Sequence, residues 1–240
     1  ALGSFAFGPR RRVLGALLVA LAVVTVYPND KPESVAMVAL PLLATVLALN
    51  RRHLAAAGVV ALSAPFRPEL SLLFPVAWII SLRVAGPRSP EGGSRGSGLI
   101  AYAVALAVGV AYLALARFAW WPSARYPEGT QVVMLIENLT SPLRYPGLAL
   151  VVMLGSLGGF WCLQALRTPR SKTSSLADND REARLGVGLF IVLWSLADLG
   201  MGRTNEIRLA MPLVALCLAL ALGRWTPSIE EARSKADGHS

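Results

Sequence analysis

The stretch "ADLGMGRTNEIRLAMPL" sets Asp198, Arg203, Glu206 and Arg208 beside an apolar run. Guanidinium groups grip phosphate oxygens in a bidentate fashion, and a neighbouring carboxylate can accept a proton or hold a cation. Such a set suits a phosphate-bearing headgroup. Three further places carry similar residues: Asp30, Lys31 and Glu33 in "YPNDKPES", Arg67 and Glu69 in "SAPFRPEL", and the segment from Trp120 to Pro146. That last segment holds Arg125, Glu128, Glu137, Asn138, Arg144 and Tyr145. Charged residues at helix ends also act as anchors that snorkel to water, so convergence, rather than any one residue, points to a site. Asp198 lies deeper, within "LWSLADLGMG", where a carboxylate is costly unless paired. Arg203 and Arg208 are its expected partners.

What must position these groups is membrane-embedded helix. Hydrophobic residues make up 55% of the 240-residue chain and charged residues 15%, with a mean hydropathy of +0.55. This composition excludes a soluble domain of ordinary make-up. Cys162 and Cys217 both sit in apolar runs, and His53 and His239 have no partner in the sequence, so neither a disulfide framework nor a metal site is expected. The 23 basic against 14 acidic residues would suit nucleic acid, yet the basic residues cluster at the ends of apolar segments. Positive-inside anchoring explains that placement and nucleic acid does not. No phosphate-binding loop of the form GxxxxGK[ST] occurs, which disfavours an ATP-driven pump. No signal peptide is evident, because "YPNDKPE" stands where a small-residue cleavage site would follow the first apolar run.

Apolar runs cover roughly 13 to 27, 33 to 49, 54 to 82, 99 to 119, 147 to 166, 185 to 202 and 207 to 223, most of them near the length that spans a bilayer. The run from 54 to 82 is too long for one span and is broken by Pro65 and Pro68, so it reads as a hairpin of two short helices, spanning or re-entrant. That choice puts Arg10, Arg11, Arg12, Arg51, Arg52, Arg83, Arg88, Arg95, Arg167, Arg170, Lys172, Arg181, Arg184, Arg224, Arg233 and Lys235 on one side, 16 of the 23 basic residues. The expected fold is therefore all-α: one polytopic transmembrane domain of about eight helices over residues 1–240, both termini cytoplasmic. Segments 83–98 and 167–184, rich in Gly, Ser, Pro and charge, read as mobile cytoplasmic linkers, and 224–240 as a polar tail. "GSLGG" at 155–159 reads as a close helix contact of the small-xxx-small type. "NLT" at 138–140 matches a glycosylation acceptor, a motif short enough to arise by chance.

The stretch from Tyr27 to Ile80, "YPNDKPESVAMVALPLLATVLALNRRHLAAAGVVALSAPFRPELSLLFPVAWII", resembles the middle helices of GT-C superfamily membrane glycosyltransferases. That group includes protein mannosyltransferases and lipid A aminoarabinose transferases. Asp30 matches the family's acidic outer loop, "NRRHLAAAGVVALSA" its basic inner turn and following helix, and Arg67 a charged outer residue that is often lysine there. "GRTNEIRLAMPLVAL" resembles the family's late "E.R...P" segment. The resemblance covers about a third of the chain and rests on degenerate motifs.

The resemblance implies a membrane protein that handles a polyprenyl-phosphate sugar at the outer face, and the heavy use of Arg and Ala over Lys points to a bacterial plasma membrane. Arg67, Arg203 and Arg208 would contact phosphate, Glu206 would orient the arginines, and Asp30 would be the acid on the acceptor side or hold a divalent cation. No other cofactor is implied. The family's catalytic acid belongs to a first outer loop that has no counterpart here and would precede Ala1, so the expectation is either part of a transferase or a shortened relative without catalysis. Two readings of other classes stand beside it. One is a non-catalytic subunit with partners in a membrane complex; the other is a small-solute transporter using Asp198 and the broken 54–82 segment.

Overall fold

The computed structural model describes residues 32–65, 67–84, 95–120, 130–167 and 175–201, together with Leu213. Every regular element among these residues is helical. The helices are α1 (Pro32–Leu49), α2 (His53–Leu62), α3 (Pro68–Val84), α4 (Arg95–Leu115), α5 (Thr130–Thr140), α6 (Tyr145–Arg167) and α7 (Ser175–Met201). A π-helical turn, Ala116–Trp120, extends α4, and a 3-10 turn, Pro142–Arg144, leads into α6.

Among the described residues three stretches are long and apolar enough to cross a membrane: Gly96–Leu115, Pro142–Arg167 and Arg181–Gly200. Their outward side chains fit that setting. Ile100, Val104, Val110, Met153, Phe160 and Leu163 are all exposed, a surface that water would penalise and hydrocarbon would not. The expected spans at 13–27 and 207–223 fall outside the described residues, Leu213 apart, so the count of about eight is not reached by those described.

The chain breaks where the prolines predicted. Pro68 opens α3 at a position whose missing N–H costs nothing, and Arg67 N–H donates back to the Ser63 carbonyl (2.7 Å) to close the turn. The hairpin is thus two helices, α2 of 10 residues and α3 of 17. At roughly 1.5 Å per residue, α2 is about 15 Å long, well short of a full span.

In space the helices run α1, α2, α4, α3, α7, α6, each packed on the next, with α5 laid against α7. α3 is the central element, and its Phe74 and Trp78 are fully buried. Small residues let α6 and α7 meet backbone to backbone. A Cβ on Gly158 would stand 2.8 Å from the Gly188 carbonyl oxygen, and one on Gly188 would stand 2.7 Å from the Gly158 oxygen. The "GSLGG" stretch is therefore a packing motif, completed by Gly188 and by Ser195, which faces Gly155.

The second linker differs from expectation. Ser175–Arg184 forms the opening turns of α7 rather than a mobile segment, and Arg181 and Glu182 within it are buried. The first linker likewise ends early, since α4 begins at Arg95.

Gly158→Leu should separate α6 from α7 and lower thermal stability by about 2 kcal/mol or more, whereas Gly159→Leu, whose Cβ would meet open space, should leave the melt unchanged. Fluorescence-detected melting of the detergent-solubilised protein reads both; equal melts for the two variants would contradict the close contact.

Candidate functional site at the Arg67 end

Chain direction puts two polar groups at opposite ends of the bundle. Asp198 follows Glu182 along α7, and at roughly 1.5 Å per residue the two stand about 24 Å apart, close to the thickness of a hydrocarbon core.

At the first end the organising residue is Glu182, whose side chain is 1% exposed. Arg51 Nη1 donates to Glu182 Oε1 at 2.7 Å, and His53 Nε2 lies 3.6 Å from the same oxygen. The other ring nitrogen of His53 is 3.2 Å from the Tyr102 hydroxyl. Ser81 Oγ donates to the Glu182 backbone carbonyl at 2.6 Å. The loop between α1 and α2, α3, α4 and α7 are thereby tied at one level.

The backbone is bent to deliver Arg51. Arg52 N–H reaches the Leu47 carbonyl (2.9 Å) and Arg51 N–H the Ala48 carbonyl (3.0 Å), the two bonds of a Schellman cap on α1. The residue between these bonds and α2 takes φ of 65°, and it is Arg51. Glycine is the usual occupant, since a side chain there costs about 1 kcal/mol. Only a long cationic side chain at that position reaches Glu182. His53, for which the sequence offers no metal-ligating partner, is held between Glu182 and Tyr102. The contact could not be foreseen because Glu182 is 131 residues from Arg51.

At the second end stand Arg67, Glu69, Trp194 and Asp198. Arg67 is 8% exposed; its Nη1 lies 3.9 Å from Glu69 Oε2, and its guanidinium carbon is 5.9 Å from the centre of the Trp194 ring. Asp198, one turn beyond Trp194, accepts from the Trp194 side chain and lies within electrostatic reach of Arg67 and Glu69. One buried cation thus faces an aromatic ring and two carboxylates. Asn138 of α5 joins this end. Its amide donates to the Leu199 carbonyl at 2.8 Å, satisfying an acceptor near the end of α7. Arg144 donates to Asn138 Oδ1 at 3.0 Å and pairs with Glu137. Asn138 is fully buried, so its amide is engaged in packing and not presented for glycosylation.

Between the two ends the interior is filled with rings. His53 meets Trp78 and Tyr102, Phe74 meets both of those and Phe190, and Phe190 meets Trp194, with centroid separations of 5.2 to 6.3 Å. Spacing by four residues puts Phe74 with Trp78, and Phe190 with Trp194, on one face of their helices. Among the described residues the ladder links the two polar ends through ring contacts.

Of the residues expected to form a site, the structure places Arg67 and gives it Asp198 as a neighbour, two groups the sequence assigns to one membrane boundary. The expected partners of Asp198, Arg203 and Arg208, lie outside the described residues, as do Asp30 and Glu206. Trp194 was not anticipated; its four-residue offset from Asp198 was the available signal. Among the described residues no group of three His, Cys, Asp or Glu side chains converges as metal ligands, and Asp30, the residue expected to hold a divalent cation, lies outside them. Compared with family models, curated proteins and solved structures, the chain matches none.

Glu182→Ala should destabilise the fold by about 3 kcal/mol or more, because it leaves Arg51 and His53 facing an empty buried position. Glu137→Ala, at a half-exposed pair, should leave the melt unchanged. Matching melts for the two would contradict the role given to Glu182.

Proposed function

We propose that the protein receives a lipid phosphate-linked sugar at the Arg67 end, in the manner of a GT-C membrane glycosyltransferase. The observation that carries the reading is the Arg67 guanidinium, buried at the end of a membrane bundle with an aromatic ring on one side and carboxylates on the others. A phosphate entering there would meet a cation held in low dielectric, where charge-assisted hydrogen bonds are strongest.

Positive-inside bias supports the orientation. Arg51, Arg52, Arg83, Arg167, Arg181 and Arg184 mark the opposite end as cytoplasmic, which makes the Arg67 end the outer face of a bacterial plasma membrane. In this reading the chain has about eight membrane helices and both termini inside. Arg203 and Arg208 add to the phosphate contacts, Glu206 orients them, and Asp30 is the acid on the acceptor side.

The chemistry follows from those roles. The acceptor hydroxyl oxygen bonds to the anomeric carbon as the bond from that carbon to the phosphate oxygen breaks. The hydroxyl proton passes to a carboxylate, and the electron pair leaves with the lipid phosphate, whose added charge the arginines offset. Asp198 and Glu69 keep Arg67 oriented rather than acting on substrate.

The alternative, a non-catalytic subunit of a membrane complex, draws on the exposed apolar side of α6, where Val152, Met153, Phe160, Leu163 and Leu166 could meet partner helices as well as lipid. In that case Arg67 is a packing ion pair.

Arg67→Gln separates these. Binding of a polyprenyl phosphate to the purified protein in nanodiscs should fall about tenfold to a hundredfold, with Arg67→Lys retaining part of it. Unchanged binding with a lowered melt would refute the phosphate role and favour the subunit.

A further inference from the structure

Beside the Glu182 group, α2 and α4 run side by side with a groove of about 400 Å³ between them, lined by Leu54, Ala57, Gly58 and Ala61 on α2 and by Ile100, Ala101 and Val104 among the residues of α4. The volume is that of a small-molecule site. Its floor is made of small residues: Ala57 and Ala101 are buried, and a Cβ on Gly58 would meet nothing within 4 Å. Its rim is apolar and open outward, with Leu54 77% and Ile100 67% exposed. The spacing 54, 57, 58, 61 is one helical stripe, so the groove follows the helix axis.

Charge is gathered at one end of this groove. The N-termini of α2 and α4 both lie there, each contributing the positive end of a helix dipole. Arg51 and Arg52 immediately precede α2. Arg52 is exposed, while Arg51 is committed to Glu182. An elongated apolar slot that opens toward the lipid side, with a basic end at the membrane boundary, is complementary to a molecule with an anionic head and a hydrocarbon tail.

We propose that the groove between α2 and α4 holds one acyl chain of an anionic phospholipid, whose phosphate is met by Arg52 at the groove's basic end. The basic end of the groove lies at the opposite end of the bundle from Arg67, and the site does not depend on the transferase reading. Its effect would be to fix α2, the shortest arm of the hairpin, against α4.

Native mass spectrometry of the full chain, released from nanodiscs containing dioleoyl phosphatidylglycerol and dioleoyl phosphatidylcholine, tests it. The wild-type protein should retain phosphatidylglycerol in preference to phosphatidylcholine. Gly58→Leu puts a side chain into the open groove and should weaken that retention about tenfold. Gly159→Leu adds the same side chain on α6, also into open space, and should leave it unchanged. Arg52→Gln should cost about fivefold in phosphatidylglycerol retention and leave phosphatidylcholine as it was. The proposal is overturned if Gly58→Leu, still folded by its melt, retains phosphatidylglycerol like the wild type. It is equally overturned if the wild type shows no preference and Gly58→Leu instead dissociates a dimer, which would make a second copy the occupant.

Discussion

A carboxylate buried at the end of a membrane bundle must be paired, and the way Glu182 meets that requirement organises half of the molecule. Desolvating a lone carboxylate costs several kcal/mol, so Arg51 has to arrive from the turn between α1 and α2, and His53 from the first turn of α2. Ser81 holds the Glu182 backbone carbonyl from α3, and Tyr102 closes the set from α4. The left-handed conformation of Arg51 is a consequence of the same demand. Four elements that hydrocarbon contact alone would leave free to slide are fixed in register at one depth.

From that level the aromatic ladder carries the packing toward the other end. Trp78 and Tyr102 stack beside His53, Phe74 and Phe190 continue the contact, and Trp194 delivers it to Arg67. The two arginines differ in use. Arg51 is matched by a carboxylate at hydrogen-bond distance, whereas Arg67 stands 3.9 Å from the Glu69 carboxylate and over a ring.

How much of this was legible in the sequence varies with the physical signal. Pro65 and Pro68 announced the hairpin because proline acts on its own neighbours. Gly155 and Gly158 announced a close contact because small residues in an apolar helix have few other uses, although Gly159 faces open space and the partner glycine, Gly188, could not be assigned without the fold. Arg67 and Asp198 could be placed at one boundary by topology. What was lost is what depends on distant pairing. "SLADNDREAR" is polar enough to read as a linker, yet Glu182 and Arg181 turn inward once α3 and α4 are in place, and composition carries no trace of that. Asp198 was given to Arg203 and Arg208, which lie outside the described residues; within these its charged neighbours, Arg67 and Glu69, come from the hairpin turn and the start of α3. The roles expected of Asp30, Arg203, Glu206 and Arg208 concern residues beyond those described.

The account turns on the two polar ends lying on opposite faces of one membrane. The most direct measurement is side-specific thiol labelling in a variant with Cys162 and Cys217 replaced by serine and single cysteines introduced at Asn50 and Pro65, both exposed. With a membrane-impermeant maleimide applied to intact cells, the Pro65 position should label and the Asn50 position should label only after permeabilisation. Labelling of both positions from the same side would contradict it.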